Sequence, residues 1–173
     1  VRSLVLWLPD WPVTALIREG LVREGLSREG AASDDAAEDR PVAVLANNTV
    51  IACSASARAE GVRRGQRRRD AQARCPGVRI VAADPARDQR TFAPVVARIE
   101  EHAPGVQIVR PGLCALRARG PARYYGGEAE AAGVLRGVLG DLDLFDVRAG
   151  IADGPFTAEH AARIATSPTA PVF

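Results

Sequence analysis

The segment Arg58-Ala-Glu-Gly-Val-Arg-Arg-Gly-Gln-Arg-Arg-Arg-Asp-Ala-Gln-Ala-Arg-Cys-Pro76 combines a glycine-containing turn with a dense set of arginines. Six of them lie between residues 58 and 69, namely Arg58, Arg63, Arg64, Arg67, Arg68 and Arg69. Guanidinium groups match the geometry of phosphate oxygens, and a basic stripe is typical of a nucleic-acid-binding surface. The alternative is a solvated helical face, because the chain uses arginine throughout and contains no lysine. Charge alone does not decide between the two.

The composition of the chain is that of a globular protein. Its 173 residues, 47% of them hydrophobic, are enough for one good-sized core with a smaller satellite. The net charge is only +2, so any affinity for nucleic acid must come from the distribution of charge. Residues 28–39 are acidic and residues 58–74 are basic. A start at Val1 and a proline-rich end at 167–173 favour a piece of a longer protein.

The sequence offers little sign of a membrane or metal protein. No apolar run approaches the roughly 18 residues that a membrane span needs, so we expect a cytoplasmic protein without a membrane partner. If the arginine-rich segment binds nucleic acid, the protein would be nucleoid-associated. Cys53, Cys75 and Cys114 lack the spacing of a metal site, which favours buried, reduced thiols. Tyr124 and Tyr125, beside an arginine, either contact nucleic acid or close a loop.

The N-terminal part predicts a strand, a helix, a loop and a hairpin. Residues 3–8 form a short apolar run typical of a buried strand. Apolar residues recur at a helical period over 13–22, and the acidic stretch at about 23–40 predicts a flexible loop. The β-prone runs 41–45 and 49–53 predict a hairpin.

The later elements alternate between helices and strands. After two short helices in the arginine-rich segment, strands are predicted at 78–81, 106–109, 113–116 and 145–152, with helices beginning at about 84, 128 and 155. Without residues 12–80 the order is β, α, β, β, α, β, α, which is the pattern of a ferredoxin-like sheet, βαββαβ, with helices on one face. The sequence therefore predicts an α+β fold.

Three segments resemble the fingers of Y-family (DinB/UmuC-like) translesion DNA polymerases: Ala52-Cys-Ser-Ala-Ser-Ala-Arg58, Gly61-Val-Arg-Arg-Gly65 and Ala71-Gln-Ala-Arg-Cys-Pro76. The similarity continues through the hairpin at 106–117 and Gly150-Ile-Ala152, and so spans nearly the whole chain. It favours phosphate binding by the six arginines between residues 58 and 69.

The resemblance also implies a domain organisation. Residues 1–11 and 81–173 would form a ferredoxin-like palm, and residues 12–80 a small, mostly helical fingers insertion.

The catalytic positions depart from this family. Its polymerases hold two Mg²⁺ ions with three carboxylates, because the metals bridge the attacking hydroxyl and the triphosphate. Matching the hairpin to the family places Gly112 and Leu113 where an Asp-Glu pair belongs. In the first strand Trp7 or, in a register shifted by one, Leu8 replaces the leading aspartate, and only the shifted register keeps Asp10. We therefore predict no catalytic residue, no metal site and no cofactor.

The nucleotide-binding contacts depart from the family as well. Arg58 matches an arginine that these polymerases use on the incoming triphosphate, but Ala55 stands where its partner tyrosine belongs. The run Gly150-Ile-Ala-Asp-Gly-Pro-Phe-Thr-Ala-Glu159 lacks both of the family's lysines. Trp7-Leu-Pro-Asp-Trp-Pro12, Pro111-Gly-Leu113 and Ala122-Arg-Tyr-Tyr-Gly-Gly127 are similar to ImuB-type proteins of bacterial mutasomes, which keep the polymerase scaffold without its carboxylates.

This resemblance implies a non-catalytic adaptor in DNA damage tolerance, translesion synthesis and SOS mutagenesis. The implied partners are DNA, bound weakly by this part alone, and a C-family error-prone polymerase, a RecA-like accessory protein and the sliding clamp, recruited through segments C-terminal to the palm. Two alternatives stay open. One is an active Y-family polymerase with unusual metal ligands such as Asp10 and Asp84. The other is a protein-interaction scaffold that does not bind DNA.

Overall fold

A computed structural model of the chain describes residues 1–27 and 40–165. The chain divides into two compact units, one made of Val1–Pro9 with Phe92–Phe173 and the other of Asp10–Thr91. We call them the palm-like unit and the inserted unit. No helix in the described ranges is long and apolar enough to cross a membrane.

The palm-like unit is built on a four-stranded antiparallel sheet. Its strands are β1 (Arg2–Trp7), β5 (Gln107–Arg110), β6 (Leu113–Arg117) and β7 (Arg148–Asp153), in the spatial order β5-β6-β1-β7. All neighbours are antiparallel, so the strand order and directions are those of the predicted ferredoxin-like sheet. The buried residues Leu4, Val5 and Leu6 of the central strand explain the short apolar run at the start of the sequence.

Four helices accompany this sheet. They are α4 (Pro85–Glu100), which begins in the inserted unit, and α5 (Arg119–Tyr125), α6 (Glu128–Gly140) and α7 (Pro155–Ile164). Helix α7 packs directly on β7 at Gly150, where an added Cβ would lie 2.1 Å from the carbonyl oxygen of Ala158 and 2.3 Å from the nitrogen of Ala162. Only glycine permits this close approach of helix and strand.

The inserted unit holds a three-stranded sheet and three further helices. Strands β2 (Val42–Ala46) and β3 (Thr49–Cys53) form the predicted hairpin, and β4 (Arg79–Ala82) pairs in parallel with β2. The helices are α1 (Trp11–Ser27), α2 (Ala55–Ala59) and α3 (Arg68–Arg74). The hairpin turn is Asn47-Asn48, both with positive φ, which asparagine tolerates better than most residues.

The structure changes several predicted boundaries. Helix α1 continues to Ser27, so the flexible loop expected from residue 23 is wrong for residues 23–27, and residues 28–39 lie outside the described part of the chain. Strand β7 begins at Arg148 and not at 145, and α5 was not predicted. The compact unit Asp10–Thr91 contains the predicted insertion 12–80 together with β4, which pairs with β2.

The three cysteines are buried and unpaired, as predicted. Desolvation raises the pKa of all three thiols, that of Cys114 to about 12. They are therefore held as neutral, unreactive thiols at neutral pH.

Candidate nucleic-acid interface and catalytic positions

The predicted phosphate-binding arginines lie on one continuous piece of the inserted unit. Arg58 is in α2, Arg63 and Arg64 are in the loop that follows, and the remaining three open α3. The loop turns at Gly61 and Gly65, whose φ values of +97° and +89° favour glycine. It is fixed to β3 by hydrogen bonds from the Gly65 amide to the Val50 carbonyl and from the Val50 amide to the Gln66 carbonyl.

Arg67, Arg68 and Arg69 present their charge to solvent. All three are exposed, and none of their side chains forms an ion pair or hydrogen bond with a described residue. Arg63 and Arg64 differ, since their guanidinium groups donate to backbone carbonyls of the same unit, including Val62 and Ile51. A carbonyl does not neutralise the cation, so all five positions keep a positive charge without a carboxylate partner among the described residues.

Arg58 is held by a carboxylate. Its Nη1 lies 2.9 Å from Oδ2 of Asp10, and its Nη2 donates to the carbonyl oxygen of Cys53 at 3.4 Å. The second oxygen of Asp10, Oδ1, accepts the Cys53 amide at 3.1 Å. Asp10 thus binds both the arginine and the end of β3, and Arg58 is partly neutralised where the other five arginines are not.

The positions that the resemblance assigns to metal-binding carboxylates meet in the palm-like unit. Trp7, at the end of β1, pairs with Leu113, at the start of β6, and the amide of Leu8 donates to the carbonyl of Gly112 at 2.8 Å. Residues about a hundred positions apart in sequence therefore become neighbours. Gly112 has no side chain and a φ of +82°, and Leu113 is only 1% exposed.

Apolar side chains and two arginines surround Trp7 at this end of the sheet. Trp7 and Leu113 pack in one cluster with Val5, and with Ala158 and Ala162 of α7. The guanidinium carbons of Arg148 and Arg163 each lie 5.3 Å from the centroid of the Trp7 ring, within the range of cation–π contacts. No local sequence pattern indicates these contacts, because they join residues distant along the chain.

Glu159, at the end of the run that lacks the family's lysines, is a carboxylate that pairs with two arginines near this end of the sheet. Its Oε1 accepts from Nη2 of Arg110 at 2.7 Å and from Nη2 of Arg163 at 2.8 Å. Burial raises the pKa of Glu159, but the two arginines outweigh it and the net shift is downward. The group is therefore a stable anion with its charge already compensated.

The described residues offer no cluster of three or more His, Cys, Asp or Glu side chains that would hold a metal ion. The two alternative ligands are also engaged elsewhere. Asp10 is bound by Arg58 and Cys53, and Oδ1 of Asp84 accepts the amide of Arg87 at 2.9 Å at the start of α4. That hydrogen bond lowers the pKa of Asp84, as expected for a carboxylate at a helix N-terminus.

The described ferredoxin-like sheet and the arginine-bearing insertion define a polymerase palm-and-fingers type of fold. The chain belongs to the impB/mucB/samB family, whose model matches residues 27–163. No match is found among the sequences of curated proteins.

The solved structures that this chain resembles include Y-family DNA polymerases. The chain is similar to the Dbh DNA polymerase in a post-insertion binary complex, with a TM-score of 0.71 and 15% identity, and in an insertion ternary complex, with 0.70 and 14%. DinB from Sulfolobus solfataricus matches with a TM-score of 0.65 and 14% identity. Each match covers 99% of this chain but 48% of the other, so the chain spans about half the length of these polymerases.

Proposed function

We propose that this chain is the palm and fingers part of a non-catalytic, ImuB-type adaptor in DNA damage tolerance. The observation that carries the proposal is the pairing of Trp7 with Leu113 and the hydrogen bond between Leu8 and Gly112. These positions come together as catalytic positions would, but they carry no carboxylate. A two-metal mechanism requires anionic oxygens to hold both ions against the triphosphate, and an indole, a glycine and a buried leucine do not supply them.

An active polymerase with unusual ligands is the less favoured reading. Asp10 would have to release both Arg58 and the Cys53 amide to bind a metal, and Asp84 would have to give up its bond to the Arg87 amide. Each release leaves a polar group without its partner and costs on the order of 1 kcal/mol or more. The arrangement of these carboxylates favours a structural role.

The inserted unit supports contact with DNA by this adaptor. Its exposed arginines at 63, 64, 67, 68 and 69 present charge that no described carboxylate neutralises. Such a surface binds the phosphate backbone without reading sequence, and its affinity falls steeply with salt because counterions are released. With a net charge of only +2, we expect weak binding that depends on this local cluster.

The further partners follow from the resemblance to ImuB-type proteins. A C-family error-prone polymerase would perform the synthesis, and a RecA-like accessory protein and the sliding clamp would complete the assembly. We assign their recruitment to segments C-terminal to the palm.

Fluorescence anisotropy with a labelled primer-template at low salt tests the DNA contact. Replacing Arg67, Arg68 and Arg69 together with alanine should weaken binding and lower the slope of log K against log salt by up to about 0.9 per arginine. The matched variant R67K/R68K/R69K keeps the charge and should retain most of the affinity. Because the three side chains are exposed, both variants should unfold at the same temperature as the parent chain.

Equal affinity of the parent and the alanine variant would contradict DNA binding by these residues. Binding that is absent for the parent chain, even at low salt, would favour the scaffold without a DNA contact.

A further inference from the structure

Helix α5 of the palm-like unit presents an arginine- and tyrosine-bearing surface that the proposed function does not use. At 100° per residue, Arg119, Gly120, Arg123 and Tyr124 fall within one arc of the helix, and all four are exposed. The opposite arc carries Ala118, Pro121, Ala122 and Tyr125, which are buried or half-buried. The helix therefore has an inner, packed side and an outer side made of two arginines, a glycine and a tyrosine.

The charges on this surface are uncompensated. Arg119, Arg123 and the nearby Arg117, at the end of β6, form no ion pair with a described residue. Glu128, in the first turn of the next helix, is fully used by Arg2, which donates to both of its oxygens at 2.9 Å. The outer side of α5 is therefore an open site for an anion such as phosphate.

Tyr124 is exposed yet held in place. Its side chain is 82% exposed, and its ring meets that of Tyr125 edge to face, with centroids 4.8 Å apart and an interplanar angle of 88°. Tyr125 is fixed in turn, because its hydroxyl donates to the carbonyl of His102 at 2.9 Å. An aromatic ring with its orientation already set loses little freedom when a ligand stacks on it.

Gly120 completes the surface. It lies between Arg119 and Tyr124 on the outer arc, and an added Cβ there would meet no atom within 4 Å. The missing side chain leaves room for a ligand to approach the helix backbone between the guanidinium group and the phenol ring.

We infer that the outer side of α5 binds single-stranded DNA, with an unpaired base stacked on Tyr124 and the flanking phosphates on Arg119 and Arg123. Aromatic rings on which bases stack, set among cationic side chains, are the general means of binding single strands without sequence preference. The uncompensated charges of Arg119 and Arg123 favour an anionic ligand, and the exposed ring of Tyr124 beside them favours one that also carries a flat base. The site lies on the palm-like unit and would add to the DNA contact that we propose for the inserted unit.

The distinguishing test is the response of Tyr124 variants to single-stranded and duplex DNA. We expect Y124A to weaken the binding of fluorescein-labelled oligo(dT) about 5- to 150-fold, the range for loss of one stacked base. Y124F keeps the ring and should bind like the parent chain. The affinity for a blunt duplex, whose bases are paired, and for heparin, which has no bases, should change less than about twofold in Y124A.

Unchanged oligo(dT) affinity in Y124A would overturn the inference. An equal loss on duplex, or on heparin, would also overturn it, since the ring would then act on folding or charge and not by stacking. As a second arm, G120E places a carboxylate on the outer arc and should reduce oligo(dT) binding more than G120Q, which adds a side chain of the same size without the charge. The oligo(dT) test of Tyr124 is separate from the test of the proposed function. That proposal is tested by the Arg67, Arg68 and Arg69 variant in the inserted unit, whereas Tyr124 lies in the palm-like unit, so either one can fail alone.

Discussion

The two units differ in the residues that stand at the positions matched to a polymerase. In the inserted unit, Arg67, Arg68 and Arg69 stay exposed and charged. In the palm-like unit, Trp7 and Leu113 meet where carboxylates are expected and pack as part of an apolar cluster. Binding of phosphate depends on exposed charge, whereas binding of a metal depends on a few converging ligands, so one can be kept where the other is lost.

Under the proposed function, apolar residues at these positions would stabilise the palm-like unit. Carboxylates gathered without a metal repel one another and resist burial, whereas a fully buried leucine contributes about 1.5–3 kcal/mol. The cation–π contacts of Arg148 and Arg163 with Trp7 add to the same region. A catalytic centre under no demand for metal binding is free to become a packed core, since function and stability compete at such sites.

The largest expected effect comes from returning a carboxylate to the palm-like unit. Leu113 is 1% exposed, so Leu113→Glu buries a charge with no metal to bind and should lower the free energy of unfolding by about 3–5 kcal/mol. Leu113→Met, of similar volume, should cost less than about 1.5 kcal/mol. Urea unfolding of both variants measures the difference. A stable Leu113→Glu variant that Mg²⁺ or Mn²⁺ stabilises further would show that the position is still a ligand site.

The second effect concerns the contact of α7 with β7. A methyl group at Gly150 would fall 2.1 Å from the Ala158 carbonyl oxygen, so Gly150→Ala must push the helix away and should cost about 2–3 kcal/mol. Gly137→Ala is the control, because an added Cβ there meets nothing within 4 Å and a helical alanine should stabilise by about 0.4–1 kcal/mol. Equal thermal midpoints for the two variants would contradict the close packing described for this unit.

The third effect tests Arg58, which among the six arginines between residues 58 and 69 is the one paired with a described carboxylate. Asp10→Asn removes the ion pair with Arg58. Asparagine still has a side-chain oxygen that can accept the Cys53 amide, and it tolerates the positive φ of 52° at this position. We expect a stability loss of about 0.5 kcal/mol and tighter DNA binding, with a salt slope steeper by up to about 0.9. Asp141→Asn, with the same charge change in the palm-like unit, should alter the slope less. Identical salt slopes for Asp10→Asn and the parent chain would mean that Arg58 does not contact phosphate.

The smallest effect concerns pH. The pKa of Glu159 is lowered in the folded chain by Arg110 and Arg163, so its ion pairs stabilise above the ordinary glutamate pKa of 4.5 and are lost as the pH falls through the lowered value. Glu159→Gln should therefore cost a few tenths of a kcal/mol near neutral pH and nothing in strong acid. Thermal unfolding across this range is the measurement, with the exposed Glu130 changed to Gln as a control. If the stability difference between Glu159→Gln and the parent chain grew in acid, the lowered pKa of Glu159 would be contradicted.

Much of the fold could be predicted from the sequence. Short apolar runs predicted β1, β2 and β6, because a strand buried on both faces needs little polar alternation. The pattern βαββαβ then fixed the strand order that the palm-like unit shows. Helix α5 was missed because Gly120 and Pro121 favour a turn, although proline is tolerated in the first turn of a helix, where its missing amide has no partner. The end of α1 was missed because residues 23–27 belong to a stretch, rich in Gly, Glu, Asp and Ala, whose low apolar content is typical of a loop.

The contacts of the candidate sites could not be predicted in the same way. The loss of carboxylates at Gly112 and Leu113 was visible in the sequence once the hairpin was matched. The partner of Arg58 was not, since Asp10 is 48 positions away and only the folded inserted unit brings the two together. The arginines around Trp7 are likewise joined to it by strand pairing and helix packing, not by any local pattern.

Primer extension tests the central claim most directly. The chain, or a longer protein that contains it, would be incubated with primer-template, all four deoxynucleotides and Mg²⁺ or Mn²⁺, beside an active Y-family polymerase as a positive control. We predict no template-dependent incorporation with either metal by the parent chain or by Asp10→Ala. Incorporation by the parent chain that disappears in Asp10→Ala would contradict the non-catalytic role and assign catalysis to that carboxylate.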